Sequence, residues 1–435
     1  MTEIDLFQNF LHLVVRTKQI SSRNLVFQQC FEHLLKFNRK KIKSHFSKDC
    51  GVPLEVVAAV DINTTANSVY RHNFPSTRHL QRNIQSFSAA ELDKLRPDVI
   101  TMSPPCQPFS RLGLQGDTSD ARTVSFLHVL DVLPRLRRPP RYILLENVRG
   151  FERSAARDAL ITTLRQLGLH WRELLLTPSQ LGVPNSRSRY YLLARRRPFT
   201  FEQPPEGQVL EELPFCTCGH TNNSDSACNS CNKPVLDRLS EYMSGKWDSH
   251  DDSAGGLLPP TLGQFLADVA PSDTSRLLLP DKVLCRYGEL LDIVRPSSRR
   301  SCCLTSGYGH LVEGAGSVLL PDNNSEGGGG DGGESGALDA AFAVARLLPP
   351  GDPARADRLR PLQLRWFSPQ EAARLMCYPE WFSFPAELTD RQRYKLVGNS
   401  VNVRTVAALM LVLMDGESGQ SEGESEESAQ AGGAC

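Results

Sequence analysis

Glycine is missing from the first fifty residues of this 435-residue chain; the first is Gly51. A residue without a Cβ lets a backbone turn at positive φ or approach a ligand closely, so a glycine-built cradle is excluded from that stretch. No apolar run reaches the roughly 18 residues of a membrane-spanning helix, and no span is expected. The N-terminus lacks a short apolar core with a small-residue cleavage site, while Glu3, Asp5 and Glu32 argue against an organelle presequence. Net charge is missing too: 49 Lys and Arg balance 49 Asp and Glu, which rules out a protein-wide basic field. The twelve cysteines follow no regular pairing. That suits a reducing compartment, and we expect a cytoplasmic or nuclear protein with no membrane partner.

The charges that are present are unevenly laid out. The first 48 residues carry nine Lys and Arg against three acids, and the last 21 carry six acids and no base. Between them the charges balance, so contact with nucleic acid has to come from local clusters: Arg135, Arg137, Arg138 and Arg141; Arg195 to Arg197; and Arg295, Arg299 and Arg300. Hydrophobic residues make up 40% and charged residues 23%, the composition of one large or two moderate globular domains. From Val56 to Arg197, short apolar runs (VVAAVDI, DVITMS, YILLENV, YYLLARR) alternate with amphipathic segments such as RDALITTLRQLG. This is the pattern of a doubly wound α/β domain, a parallel sheet with crossover helices. Beyond Pro198 the periodicity gives way to Pro-, Ser- and Gly-rich text, and Gly327 to Gly333 reads as flexible linker. An apolar helix, VRTVAALMLVLM, stands near the end, and residues 415–435 read as a disordered acidic tail.

The run SPPCQPFS sets one thiol, Cys106, on a proline-stiffened loop directly after the strand DVITM. Proline fixes its own φ and restricts its predecessor, so Cys106 is held in a preset direction at the carboxyl end of a strand, where open α/β sheets bind ligands. Further on, the strand YILL runs into Glu146-Asn147-Val148, Arg187 and Arg189 stand beside the strand YYLLARR, and Gly398-Asn399-Ser400 lies near the end. In this order the motifs resemble the cytosine carbon-5 methyltransferase family. The stretches SPPCQPFSRLGLQGDTSDARTVSFLHVLDVLPRL, YILLENVRGFE and QRYKLVGNSVNV are similar to its small, single-domain branch that acts on tRNA, over roughly Lys48 to Met414.

The resemblance implies a Rossmann-like, S-adenosylmethionine-dependent methyltransferase sheet with a small target-recognition domain inserted before the C-terminal helix. Its implied boundaries are a non-matching basic segment at 1–47, a catalytic domain at 48–198, a target-recognition region with linkers at 199–386, the C-terminal part of the catalytic domain at 387–414 and the tail. The implied activity, carried by a monomer, is transfer of a methyl group from S-adenosylmethionine to carbon 5 of cytosine 38 in the anticodon loop of a tRNA-Asp type substrate. Extruding a stacked base costs a few kcal/mol, least in a loop. DNA stays open as an alternative substrate, because DNA-methylating relatives share the catalytic motifs. A catalytically impaired RNA-binding form stays open as well.

Carbon 5 of cytosine is a poor nucleophile, and adding a thiolate to carbon 6 turns the ring into a reactive enamine. Cys106 is the candidate thiolate. Glu146 is placed to donate a proton or hydrogen bond to ring nitrogen 3 if burial raises its pKa. Arg187 and Arg189, two apart on a strand-like segment, share a face that could fix the pyrimidine carbonyl and nearby phosphates. For the cofactor, the resemblance assigns Asp61 and Ile62 to ribose and adenine, Ile84 and Gln85 to the flanks of the adenine, and Ser103 and Ser400 to closing the pocket. Read without the family, Asp61 is equally a helix N-cap. Where the tRNA branch reads Cys-Phe-Thr, this chain has Cys303-Leu304-Thr305, one aromatic fewer for stacking RNA.

Two features fall outside the resemblance. Cys216, Cys218, Cys228 and Cys231 are close enough to hold tetrahedral zinc, and equally read as an unpaired loop, so no metal is assigned. Upstream of KDCGVPLEVVAAVDIN the family carries its first strand and a Phe/Tyr-Ser-Gly-x-Gly-Gly turn; this chain has LLKFNRKKIKSHFS. There LVFQQCFEHLLKFNRKKI reads as a basic amphipathic helix, with Leu25, Val26, Phe31 and Leu34 on or near one face. A helix cannot replace a central strand, so the sheet is expected to lose a partner and the cofactor its cradle.

Overall fold

The computed structural model describes residues 12–17, 54–105, 123–199, 207–213, 259–267, 271–321 and 333–414. Cys106, the four candidate zinc cysteines, the segment read as a helix over 25–42, the glycine run up to Gly332 and the acidic tail lie outside the described residues.

Eight strands form one sheet: β1 His12–Thr17, β2 Leu54–Val60, β3 His79–Leu80, β4 Val99–Met102, β5 Tyr142–Val148, β6 His170–Leu176, β7 Arg189–Arg195 and β8 Val209–Leu210. Their spatial order is β3-β2-β1-β4-β5-β7-β6-β8. Strands β2 and β3, β4 and β5, and β6 and β8 pair parallel. The sheet is mixed, which corrects the expectation of an all-parallel one: β7 runs antiparallel to β5 and β6, and β1 runs antiparallel to β2 and β4. For β7 the reason is its connection. Residues 177–188 join β6 to β7 and hold one short 3-10 turn, Pro178–Leu181, with no α-helix, whereas a parallel return usually crosses over through one.

The sheet also keeps its central partner, contrary to the sequence expectation. HLVVRT lies between β2 and β4, with Leu13 opposite both Ala59 and Thr101. Valine and threonine favour a pleated strand, and leaving that gap open would strand two rows of backbone donors and acceptors.

Helices α1 Thr64–Asn73, α2 Ala89–Leu95, α3 Val124–Val132 and α4 Ala155–Gln166 follow the strands. The start of α4 is fixed by Ser154, whose side chain accepts from the Arg157 N–H, and its buried Ala156, Leu160, Ile161 and Leu164 recur at helical spacing. These residues pack with α3 on Ile143, Leu145 and Leu192. Leu144, one residue out of phase, faces the opposite side with Val99 and Leu193.

A second core lies beyond the sheet, built from α5 Pro271–Leu277, α6 Asp281–Tyr287, the parallel pair β9 Ile293–Val294 and β10 Val318–Leu319, α7 Gly333–Arg346, α8 Pro353–Leu359 and α9 Pro369–Leu375. Tyr308, Trp366 and Phe367 lie at its centre, with the rings of Tyr308 and Trp366 5.0 Å apart. The chain then returns through α10 Asp390–Asn399 and α11 Val403–Leu413. Every residue of α11 is buried, and it covers the second face of the sheet. Asp390–Leu413 is apolar enough by composition to cross a membrane, yet 78% of its most apolar window is inside the protein, as in a core helix.

Candidate active site

The carboxyl ends of β2, β4 and β5 bring Asp61, Ser103 and Glu146 to one edge of the sheet. Asp61 is buried, and its Oδ1 accepts from the Asn63 N–H at 2.8 Å. Burial pushes its carboxyl up to about 7, against the pull of the Asn63 and Ile62 amides, and no cation is among the groups that set it. Asn63, not Asp61, caps α1, accepting from the Ala66 N–H. Ile62 is solvent-exposed beside it. Ile84 and Gln85 sit on the 3-10 turn Ile84–Ser86, where Ile84 leans on the core and the Gln85 amide donates to Ser125 Oγ at 2.9 Å.

Glu146 is 5% exposed. Burial raises its pKa, while Arg189, Arg187 and a hydrogen bond with Ser103 pull it back without cancelling the rise. The Arg189 Nε lies 3.5 Å from its Oε1. Asn147 donates to the Pro104 carbonyl at 3.2 Å, which ties the strand carrying Glu146 to the proline pair that leads into Cys106.

Arg187 is differently engaged. Its Nη2 donates to the Gly398 and Ser400 carbonyls, both at 2.7 Å, and its Nη1 to the Leu304 carbonyl and Cys303 Sγ, both at 3.2 Å. One buried guanidinium thus joins the sheet, the Cys303-Leu304-Thr305 segment and the Gly-Asn-Ser motif. Burial pushes the Cys303 thiol up, but Arg187 and Arg189 together outweigh it and the net shift is down. The Ser400 hydroxyl donates to the Val397 carbonyl at 2.7 Å, so the backbone of Ser400 holds Arg187 while its side chain closes α10.

Sequence reasoning missed the residues that support this joint. The Asn185 amide donates to Ser301 Oγ and to the Cys302 carbonyl, both at 3.0 Å, and Ser301 donates to the Pro184 carbonyl at 2.6 Å. Gly398 completes the contact: a Cβ there would stand 2.2 Å from the Ser306 nitrogen and the Thr305 carbonyl carbon. Only a residue without a side chain permits that approach.

The arginine clusters separate by position. Arg141 precedes the first residue of β5, and Arg195 ends the antiparallel β7, so Arg135–Arg141 and Arg195–Arg197 flank the sheet edge opposite Glu146. Arg135 pairs with Asp131, Arg138 with Asp98 at 2.8 Å, and Arg195 is buried. The third cluster adjoins Ser301–Thr305, on the site side; there Arg300 pairs with Asp292 at 2.8 Å and Arg299 is exposed.

The nucleoside end of S-adenosylmethionine fits this edge: Asp61 is a buried acceptor with no cation partner among the described residues, as two ribose hydroxyls require. For the amino-acid end, the described residues offer no turn at the carboxyl end of a first strand. β1 meets the site edge with His12, opposite Val60, and leaves for β2 from Thr17, opposite Leu54, at the far edge.

The sequence profile described as C-5 cytosine-specific DNA methylase matches residues 40–253 and 335–414. The chain is similar to the tRNA (cytosine(38)-C(5))-methyltransferase of Mus musculus, 42% identical over 87% of this chain and 92% of that protein. The Homo sapiens protein of that name is 41% identical over 85% and 96%. Among solved structures, a mutant of the Spodoptera frugiperda DNMT2 superposes with a TM-score of 0.64 at 34% identity, covering 83% of this chain and 92% of that one. The Schizosaccharomyces pombe Dnmt2 methyltransferase gives 0.61 at 28% identity, covering 89% and 96%. The chain belongs to the C-5 cytosine-specific methylase family, a family of methyltransferases.

Proposed function

We propose that the site activates cytosine 38 in the anticodon loop of a tRNA of the tRNA-Asp type, through a covalent cysteine adduct. Relatives whose names specify tRNA and cytosine 38 cover most of the chain, and this supports the substrate. The observation that carries the chemistry is Glu146, a buried carboxyl with a raised pKa beside Ser103, three residues before Cys106. In this reading the Cys106 thiolate forms a bond to carbon 6 and the ring π electrons move toward nitrogen 3. Glu146 supplies a proton or hydrogen bond there as the charge develops. Carbon 5 becomes nucleophilic and takes up an electrophile, a solvent proton in exchange or the methyl group that S-adenosylmethionine would supply when bound; loss of the original carbon 5 proton then re-forms the C5–C6 double bond as the thiolate leaves carbon 6. Arg189, 18% exposed at its side chain, orients Glu146 and faces the pyrimidine carbonyl. Arg187 acts as a positioning residue for the recognition segment. The family is an S-adenosylmethionine-dependent class.

Addition to carbon 6 makes the carbon 5 hydrogen exchangeable with water whether or not a methyl donor is present. Release of tritium from tRNA labelled at cytosine carbon 5 therefore tests the proposal. We expect release from one anticodon-loop position, none from Cys106→Ala and none from duplex DNA. Equal release from DNA would move the substrate to DNA, and release by Cys106→Ala would overturn the adduct.

A further inference from the structure

In nucleotide-binding α/β sheets the crevice lies outside the carboxyl ends of the strands, and the turn leaving the first of them brings backbone N–H groups close to the ligand. Here β2, β4 and β5 present their carboxyl ends to the crevice, but the strand between β2 and β4 presents its amino end. Residues 18–53 join Thr17 to Leu54, and both ends of that connection lie at the sheet edge opposite Asp61, Ser103 and Glu146. Neither end of the connection from β1 to β2 lies at the crevice. The first fifty residues contain no glycine. At α1, whose start follows Asp61, the Asn63 side chain occupies the Ala66 N–H at 2.9 Å.

We propose that this chain holds the nucleoside end of an S-adenosyl ligand and leaves the amino-acid end unheld, so that adenosine and S-adenosylhomocysteine bind with nearly equal, weak affinity. The proposal rests on the methyltransferase reading of the site. Asp61 supplies the retained half, and the reversed β1 removes the other. A site that engages the charged amino-acid end would separate the two ligands by far more than tenfold, since each tenfold is about 1.4 kcal/mol.

Calorimetric titration of the full chain with adenosine and with S-adenosylhomocysteine decides it. We expect dissociation constants within about threefold of each other, neither tighter than roughly 100 μM, and Asp61→Ala should weaken both together. S-adenosylhomocysteine binding tenfold or more tighter than adenosine would overturn the proposal, as would no binding of either. A chimera in which a parallel first strand with a Gly-x-Gly turn replaces residues 1–53 should gain about 100-fold for S-adenosylhomocysteine alone. If that chimera misfolds, the titration of the parent chain still gives the answer. If it gains cofactor affinity yet releases no tritium from tRNA, the substrate reading fails while this inference stands.

Discussion

Glu146 is held between opposing influences, with burial pushing its carboxyl up and two guanidiniums and a hydroxyl pulling it down. The net shift is upward, which enlarges the share of the protonated form, the form that can donate to ring nitrogen 3. Glu146→Gln should slow carbon 5 exchange by about 100-fold, with tRNA affinity changed by no more than about threefold. Exchange by the parent should decline as pH rises through the raised pKa, and exchange by the variant should not. Matching profiles for the two proteins would remove Glu146 as the acid. Asp61 sets a second pH dependence, on stability. Its folded pKa of about 7 lies above the ordinary 3.8, so the folded protein keeps a proton that the unfolded chain releases. That contribution is fully present below the unfolded pKa and is lost as pH rises through about 7. Asp61→Asn should therefore raise the melting temperature at about pH 8 and leave it nearly unchanged at about pH 4. Thermal scans at both pH values check this, and an equal gain at both would show that deprotonation is not the cause.

At the scale of elements, the joint between the sheet and Ser301–Thr305 depends on the close fit at Gly398. Gly398→Ala would drive a Cβ against the Ser306 nitrogen, which is backbone and cannot swing aside. We expect a loss of about 3 kcal/mol or more, read by denaturant unfolding, together with weakened tRNA binding as Ser301–Thr305 shifts. A loss under about 1 kcal/mol would mean that α10 moves freely. The β1 strand makes a separate claim. Val14→Pro removes a ladder donor from a strand paired on both sides and should destabilise by about 3 kcal/mol, whereas an unpaired segment would tolerate it. How much of this was legible in the sequence differs by element. Strand ends carrying Asp61 and Glu146 could be read because apolar runs stop at a charged residue. HLVVRT could not, being short and continuous with the apolar Leu6, Phe7, Phe10 and Leu11 before it, and strand direction leaves no trace in a run of six side chains. The Arg187 clamp was equally hidden: its partners at Leu304 and Gly398 are 117 and 211 residues away, and three of its four bonds go to carbonyls that any residue would offer.

Across the whole molecule the net charge is zero, so the arrangement of charge decides where a polyanion docks. Two arginine clusters flank the edge of the sheet away from Glu146, and only the third adjoins Ser301–Thr305. Arg299→Ala should weaken tRNA binding and reduce the salt slope by about 1, while Arg137→Ala and Arg197→Ala should leave both unchanged. Filter binding across a salt series separates these outcomes, and equal effects at all three positions would deny the cluster beside Ser301–Thr305 a special role in binding. The same two-sided layout produces the central claim: a site able to activate cytosine joined to a sheet whose first strand is reversed at the cofactor crevice. The most direct test puts both halves in one reaction, with tRNA tritiated at cytosine carbon 5 and S-adenosylmethionine labelled in its methyl group. The account predicts tritium release that depends on Cys106 and outruns methyl incorporation by about 100-fold or more. Methyl incorporation in step with tritium release would contradict it.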